Sequence, residues 1–179
     1  MSRPATPGNL PLPGGSLLGK PVRQVALVVP DVVAQATAWW EHLGVGPWNL
    51  FTLDGAALTS ATYRGRPAAF RIRHAMAFSG EVMMELVQPI QGPSIWHEFL
   101  ERQGAGLQHI AFYPDDFEVA SAALAAEGWV PVATGDGFGR SRDGRFSYHE
   151  HPDVQGIIVE IVQVPTERFP PELTIPAAQ

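Results

Sequence analysis

The 179-residue chain has no cysteine, which excludes disulfide bonds and metal sites built from thiolates. The absence also favours a cytoplasmic protein, because structural disulfides are typical of oxidising compartments. Basic residues are scarce as well: 12 Lys and Arg stand against 18 Asp and Glu, the net charge is -6, and no basic run occurs. This charge argues against nucleic acid as a partner.

Long apolar runs are also missing. No stretch approaches the roughly 20 residues that a membrane span requires, so we expect no membrane partner. Residues 1–20 are rich in Pro and Gly and lack the basic start and apolar centre of a signal peptide. We expect them to form a flexible N-terminal arm, and we expect the Pro-rich residues 166–179 to form a similar tail.

One stretch places a carboxylate in the middle of an apolar run. The segment Gly156–Pro165, GIIVEIVQVP, holds the carboxylate Glu160 within a β-branched apolar run that predicts a buried strand. An isolated buried carboxylate is costly unless it has a partner. The pattern occurs twice, because Val82–Pro89, VMMELVQP, holds Glu85 at the matching place. Two such glutamates indicate a duplicated module with a shared site.

The rest of the chain repeats as well, and each unit reads as strand, helix and three strands. Asp31 and Asp116 are predicted to cap the two helices, which end near Gly44 and Gly128. The residues between the second and third predicted strands, 54–67, are expected to form a loop over one face.

The predicted organisation is one α+β domain. A βαβββ unit is too small to bury its own sheet face, so two units should pair into one curved mixed sheet around a cleft. Pro93 is expected to open the helix that links them. The expected boundaries are an arm at 1–20, a first module at 21–90, a linker helix at 91–105, a second module at 106–165 and a tail at 166–179.

Superposing the two units places Gln24 opposite His109 and Glu85 opposite Glu160. If all four side chains point into the cleft, they supply one amide oxygen, one imidazole and two carboxylates. Such a set suits zinc, nickel, cobalt, manganese or iron and leaves positions open for water or substrate. Two carboxylates and a divalent ion would also neutralise one another, which would offset the free-energy cost of burying the carboxylates.

Each of these residues also has an ordinary structural interpretation. His109 would serve as a core histidine with its hydrogen bonds satisfied, and Gln24 as a core or edge amide. The two glutamates would pair with Arg71 or Arg73 on a neighbouring strand. For an apolar substrate pocket we predict Trp48, Phe51, His74 and Tyr148, with core packing as the alternative. His149 and His151 are interpreted as surface residues.

Two further segments resemble a known family, the vicinal oxygen chelate superfamily, which includes glyoxalase I and methylmalonyl-CoA epimerase. Gly106–Phe112, GLQHIAF, resembles the segment that carries a metal histidine in the epimerase. Arg145–Asp153, RFSYHEHPD, followed by Gly156 to Glu160, resembles the hairpin before the last metal glutamate. The resemblance covers about residues 22–165 and implies the glyoxalase/bleomycin resistance/dioxygenase fold, and it makes a homodimer plausible.

The ligand set implied by the resemblance is that of the animal-type zinc glyoxalase I. Gln24 stands where the family often has histidine, whereas iron ring-cleaving dioxygenases use two histidines and one glutamate. The leading hypothesis is therefore a metal-dependent isomerase, epimerase or lyase that moves a proton next to the carbonyl of a small substrate, with a CoA thioester among the candidates. Glu160 and Glu85 are the predicted proton carriers.

Two alternatives remain at the level of sequence. One is a ring-cleaving or other oxygen-using metalloenzyme, against which Gln24 argues. The other is a metal-free protein of the bleomycin-resistance type that sequesters a ligand. The latter predicts that the four polar residues diverge or pair with arginines.

Overall fold

A computed structural model describes residues 20–177, so residues 1–19 of the predicted arm lie outside it. The described residues form three helices and one mixed sheet of eleven strands. Residues 24–91 form β1 Gln24–Val28, α1 Val32–Leu43, β2 Trp48–Asp54, β3 Ser60–Tyr63, β4 Arg66–Pro67, β5 Arg71–Ser79 and β6 Val82–Gln91, of which all but β3 and β4 belong to the first module. The remaining elements are α2 Ile95–Gln103, β7 Gly106–Phe112, α3 Phe117–Ala126, β8 Val130–Phe138, β9 Gly144–His151, β10 Val154–Gln163 and β11 Leu173–Ile175.

The duplication is visible in the strand order, β11-β2-β5-β6-β1-β7-β10-β9-β8-β3-β4. In each module the last strand pairs in parallel with the first, β6 with β1 and β10 with β7. The two first strands, β1 and β7, pair antiparallel at the centre and join the modules. The predicted α+β fold of two βαβββ modules is therefore confirmed.

The chain between β2 and β3 requires the sheet to curve strongly. Seven strand spacings separate β2 from β8 in the sheet order, which would be about 34 Å in a flat sheet. The chain leaves β2 at Asp54 and reaches Ser60, which pairs with Asp136 of β8. A chain of that length spans at most about 22 Å, so the two sides of the sheet must approach each other around a cleft.

This connection differs from the predicted loop over residues 54–67. It contains one turn of 3₁₀ helix at Gly55–Ala57, followed by β3 and β4, which extend the edge of the second module. The sequence did not reveal these strands because β4 is two residues long and β3 is stabilised by a partner in the other module. The segment holds the two modules together across the cleft.

The predicted helix caps are largely confirmed. The carboxylate of Asp31 accepts from the backbone amides of Val33 and Ala34, and that of Asp116 accepts from Val119. The linker helix α2 differs from prediction, because Ser94 is its N-cap and Pro93 lies before the helix. The hydroxyl of Ser94 accepts from the amide of His97, which satisfies an otherwise unpaired helical donor.

Two hydrophobic layers fix the position of the cleft. On the outer face, α1 packs against β5 and β6, and Trp48 lies fully buried there with its indole edge against Trp39. On the inner side, α2 places Trp96 against Phe70 and Tyr148, at ring-centroid distances of 5.2 and 5.4 Å. Helix α2 therefore fills one end of the cleft.

The C-terminal segment adds a strand that the sequence did not predict. Within the predicted tail, β11 pairs antiparallel with β2, and Leu173 lies opposite Leu50. No helix among the described residues is long and apolar enough to cross a membrane.

Candidate active site

The four side chains predicted as metal ligands converge on one point at the centre of the sheet. Gln24 and Glu85 come from β1 and β6, and His109 and Glu160 come from β7 and β10. His109 Nε2 lies 3.3 Å from Glu85 Oε2 and 3.4 Å from Glu160 Oε2. Gln24 Nε2 lies 2.7 Å from the same Glu85 oxygen and 3.3 Å from His109 Nε2. All four are at most 6% exposed, so their polar atoms depend on one another.

The orientation of His109 depends on a β-bulge. Ala26 pairs with His109 but Leu27 pairs with Leu107, so Gln108 is an extra residue in β7. The bulge lets Gln108 and His109 both be buried, although neighbouring residues of a regular strand face opposite sides.

Gln108 in turn sets the tautomer of His109. Gln108 Nε2 donates to the carbonyl of Ile95 at 3.0 Å, which directs Gln108 Oε1 toward His109 Nδ1 at 2.9 Å. The amide oxygen can only accept, so Nδ1 carries a proton and Nε2 faces the site. The sequence reasoning missed Gln108, because only the bulge places it beside the histidine.

The two carboxylates have different surroundings. Glu85 Oε1 lies 2.7 Å from His74 Nδ1, while its other oxygen accepts from Gln24. Glu160 makes longer contacts of 3.4 Å to Gln24 and His109, and its carboxylate also interacts with the hydroxyl of Tyr148. Glu85 is therefore anchored at both oxygens, whereas Glu160 is more weakly held. Neither glutamate pairs with Arg71 or Arg73 among the ion pairs of the described residues.

Electrostatics separates the two acids further. Burial raises the pKa of Glu85, but hydrogen bonds from His109 and His74 outweigh it and hold the pKa below its ordinary value. Burial and the nearby charge of Glu85 raise the pKa of Glu160 above its ordinary value, although His109 opposes them. Burial would lower the pKa of His109, yet the two carboxylates raise it to about 9.

Two tyrosines complete the polar centre. The hydroxyl of Tyr113 donates to Gln24 Oε1 at 2.9 Å. The ring of Tyr148 packs edge-on against His109, with centroids 5.0 Å apart. Burial, followed by the charges of Glu160 and Glu85, raises the pKa of both tyrosines, so both hydroxyls stay protonated at neutral pH. The sequence reasoning did not include Tyr113, which has no counterpart in the duplicated pattern.

A cavity of about 500 Å³ opens over this centre. Gln24, Glu85 and Glu160 form its polar floor, and Phe51, His74 and Tyr148 line it as predicted for substrate contact. The prediction for Trp48 is wrong, because this residue faces the outer layer and its Nε1 donates to the carbonyl of Val45 at 2.7 Å. The interpretation of His149 as a surface residue is also wrong, because it is 2% exposed.

The chain was compared with known proteins. Residues 23–148, more than half of the chain, match the family model described as Glyoxalase/Bleomycin resistance protein/Dioxygenase superfamily. The chain belongs to this superfamily. Divalent metal ions are common among members of the superfamily. No curated protein matches the sequence.

Solved structures share the superfamily fold at low sequence identity. A hypothetical protein from Bacillus halodurans C-125 is 14% identical, with a TM-score of 0.58 over 84% of this chain and 98% of that one. Methylmalonyl-CoA epimerase from Mycobacterium tuberculosis is 21% identical, with a TM-score of 0.56 over 83% of this chain and 88% of that one. A variant of the Streptomyces coelicolor epimerase in complex with 2-nitronate-propionyl-CoA is 18% identical, with a TM-score of 0.58 over 84% and 99%. At these identities the likeness establishes the fold.

The donor atoms at the centre of the sheet suit a divalent ion in chemistry, and the spacing of His109 from the two carboxylates suits one as well. Within residues 20–177, no three His, Asp or Glu side chains already have the arrangement of a metal centre, and the donors hydrogen-bond one another instead. Four tetrahedral ligands at about 2.0–2.2 Å from an ion lie about 3.3–3.6 Å apart. His109 Nε2 lies 3.3–3.4 Å from both carboxylates. These two pairs already have the spacing of ligands, whereas the amide of Gln24, 2.7 Å from Glu85 Oε2, would have to move apart from that carboxylate to admit an ion.

Gln24 can present either end of its amide to the site. Its nitrogen faces the carboxylates here, and its oxygen accepts from Tyr113. Rotation of the amide by half a turn would direct the oxygen inward, and the hydroxyl of Tyr113 would then accept from the nitrogen. The Gln24 side chain is thus compatible with both a hydrogen-bonded site and a metal-bound site.

Proposed function

We propose that this protein is an enzyme of the isomerase, epimerase or lyase type that moves a proton on the carbon next to the carbonyl of a small substrate. The observation that supports this most is the convergence of two buried carboxylates, an imidazole and an amide at the floor of a largely apolar cavity. Buried acids whose surroundings shift their pKa values apart are typical of sites that carry out proton transfer.

In this proposal Gln24, Glu85, His109 and Glu160 hold a divalent ion. The chemistry that such an ion supplies when bound is polarisation of a carbonyl oxygen, which makes the neighbouring proton more acidic. Gln108 holds the imidazole of His109 in the tautomer that presents Nε2 as a ligand. The hydroxyl of Tyr113, which also lines the cavity, bonds the other end of the Gln24 amide in either orientation.

Glu160 is the proton carrier of this proposal. Glu85 is anchored by His74 and Gln24 at 2.7 Å on each oxygen, so it serves as a fixed anion. The contacts of Glu160 to Gln24 and His109 are longer, at 3.4 Å, and burial raises the pKa of its carboxyl whereas that of Glu85 is lowered, so Glu160 is the better general base of the two. The walls formed by Phe51 and Tyr148 would hold the body of the substrate and exclude water.

The test is exchange of the α-proton in D₂O, followed by ¹H NMR, with a panel of small ketones, 2-oxo acids and acyl thioesters. Protein purified without chelators and supplied with Zn²⁺ or Co²⁺ should exchange at least one class of probe. Glu160→Gln should reduce the exchange rate by about 10²-fold or more, because it removes the base. Glu81→Gln, an exposed substitution in the β5–β6 turn, is the control and should leave the rate unchanged. Equal exchange rates for Glu160→Gln and the native chain would refute the role of Glu160.

A second candidate, a metal-free protein that sequesters a ligand, has one observation in its favour. The four polar side chains satisfy one another directly, with the 2.7 Å bond from Gln24 to Glu85 as the shortest contact. The same side chains neither diverge nor pair with arginines, which that alternative had predicted. Metal analysis of protein purified without chelators separates the two, since the proposed enzyme should retain about one divalent ion per chain and lose it in His109→Ala.

A further inference from the structure

The C-terminal segment crosses the mouth of the cavity as a strap, residues 165–172, that is attached to both modules. At its start, the amide of Thr166 donates to Asp143 Oδ1 at 3.0 Å and the amide of Glu167 donates to Ser141 Oγ at 3.0 Å. The amide of Arg140 donates back to the carbonyl of Glu167 at 2.8 Å. These contacts tie the strap to the β8–β9 turn of the second module.

The other end of the strap is attached to the first module. The amide of Glu172 donates to the carbonyl of Leu50 at 2.9 Å, and β11 then continues the pairing with β2. The carboxylate of Glu172 accepts from the amide and the hydroxyl of Thr52 at 2.9 and 3.0 Å. The strap lies beyond residues 23–148 that match the superfamily, so the family resemblance assigns it no role.

The strap carries a cation to the cavity. Arg168 and Phe169 both line the cavity, and Phe169 is 59% exposed. Among the ion pairs of the described residues none includes Arg168.

A second arginine lines the same mouth. Arg142, in the β8–β9 turn, donates through Nη2 to the carbonyl of Ala57 at 3.2 Å and to Thr59 Oγ1 at 3.4 Å, both of which are uncharged acceptors. Two acids, Asp54 and Glu172, also line the cavity; they accept from the uncharged donors Ala56 and Thr52, and among the ion pairs of the described residues neither is joined to Arg142 or Arg168. The cavity therefore has an acidic floor and two cations without carboxylate partners at its mouth.

We propose that Arg168, together with Arg142, forms an anion subsite that selects substrates carrying a carboxylate or phosphate at the end remote from the reacting carbonyl. The assignment of the carbonyl to the acidic floor rests on the proposed function, whereas the subsite rests on the strap and its charges. The favoured substrate has an apolar body of a size that fits about 500 Å³, with the anion at one end and the carbonyl at the other. A guanidinium pairs well with either anion, so both remain possible sources of the charge.

The test is a set of dissociation constants, measured by isothermal titration calorimetry, for three probes that share one body. The probes are 4-acetylbenzoate, 4-acetylphenyl phosphate and the uncharged 4-acetylbenzamide. The native chain should bind at least one charged probe about tenfold or more tightly than the amide. The tighter of the two charged probes identifies the source of the anion, carboxylate or phosphate.

Two matched variants decide the assignment. Arg168→Gln should remove most of the preference for the charged probe and leave the affinity for 4-acetylbenzamide unchanged. Arg140→Gln is the control, because Arg140 lies beside the strap, pairs weakly with Glu167 at 3.9 Å and does not line the cavity. It should retain the full preference.

Three outcomes would overturn the subsite: an unchanged preference in Arg168→Gln, an equal loss in Arg140→Gln, or no binding of either charged probe. The binding measurement needs no turnover, so it is independent of the exchange test. Absence of proton exchange with a preserved charge preference would refute the proposed reaction and leave the subsite intact. Proton exchange without any charge preference would refute the anion subsite and leave the proposed reaction intact.

Discussion

At the scale of single residues, the proposed metal site depends on neighbouring side chains that orient its ligands. His109 can bind an ion only through Nε2, and Gln108 directs this nitrogen into the site with a hydrogen bond from Nδ1 that is itself oriented by the carbonyl of Ile95. Such outer partners are as important to a metal site as the ligands are, because they fix both tautomer and ring orientation. A polar residue without any contact to substrate can therefore control the chemistry.

The first prediction concerns Gln108→Ala. Loss of the amide oxygen frees the imidazole of His109 to rotate and to change tautomer, so the affinity for Zn²⁺ or Co²⁺ should fall by about 10–100-fold. Competition with a chromophoric chelator measures this change. Gln155→Ala, an exposed substitution on β10, is the control and should have no effect. Unchanged affinity in Gln108→Ala would show that Gln108 does not position the histidine.

At the scale of elements, close backbone approaches determine where α2 lies against the sheet. Gly92, between β6 and α2, has a φ of 78°, and a Cβ there would lie 2.1 Å from the carbonyl oxygen of Ala69. This contact brings the start of α2 next to Phe70, on which Trp96 packs. Only glycine allows both the backbone angle and the approach.

The second prediction compares Gly92→Ala with Gly80→Ala. Both glycines have positive φ, but a Cβ at Gly80 would meet nothing within 4 Å. Gly80→Ala should lower the free energy of unfolding by about 1 kcal/mol, from backbone strain alone. Gly92→Ala should lower it by about 3 kcal/mol or more, because a backbone clash adds to the strain. Urea denaturation measures both, and equal losses would refute the close approach.

At the scale of the whole molecule, a polar network outside the cavity joins elements that are distant in sequence. Arg64, in the β3–β4 turn, donates to Glu98 of α2 at 2.9 and 3.0 Å and to Glu150 of β9 at 3.3 Å. The hydroxyl of Tyr63 also donates to Glu98, at 2.7 Å. The network links the first module, the linker helix and the second module, and it lies next to the segment that bridges the cleft.

The third prediction follows from the pKa of Glu98, which Tyr63 and Arg64 lower despite the opposing effect of burial. Because the folded-state pKa lies below the unfolded one, the network stabilises the fold above the unfolded pKa, and the contribution disappears as the pH falls through the folded pKa. Glu98→Gln should therefore lower the free energy of unfolding by about 0.5–1 kcal/mol near neutral pH and by progressively less toward about pH 3.

Urea denaturation of the two proteins across this pH range provides the measurement. Glu101→Gln, an exposed substitution on the same helix, serves as the control and should match the native chain at every pH. A difference for Glu98→Gln that stays constant with pH would contradict the ionic origin of the effect.

Much of the fold could be predicted because its signals are local. The caps at Asp31 and Asp116 act on amides two or three residues away, and apolar periodicity separates strands from helices without distant contacts. The duplicated pattern around Glu85 and Glu160 also predicted contacts between residues far apart in sequence. When two similar modules pair symmetrically, matching residues of the two lie near the same centre. That symmetry is why the four polar residues were found to meet.

Local patterns and their repetition were therefore sufficient to predict the α+β class, the two modules and the four polar residues at their shared centre. Tertiary structure alone decided that Trp48 packs outward, that Gln108 enters the site through a bulge, and that residues 165–172 cross the cavity with Arg168. The physical reason is that these features depend on partners far along the chain. A bulge, a strand at a sheet edge and a strap are each stabilised by contacts that no local pattern encodes.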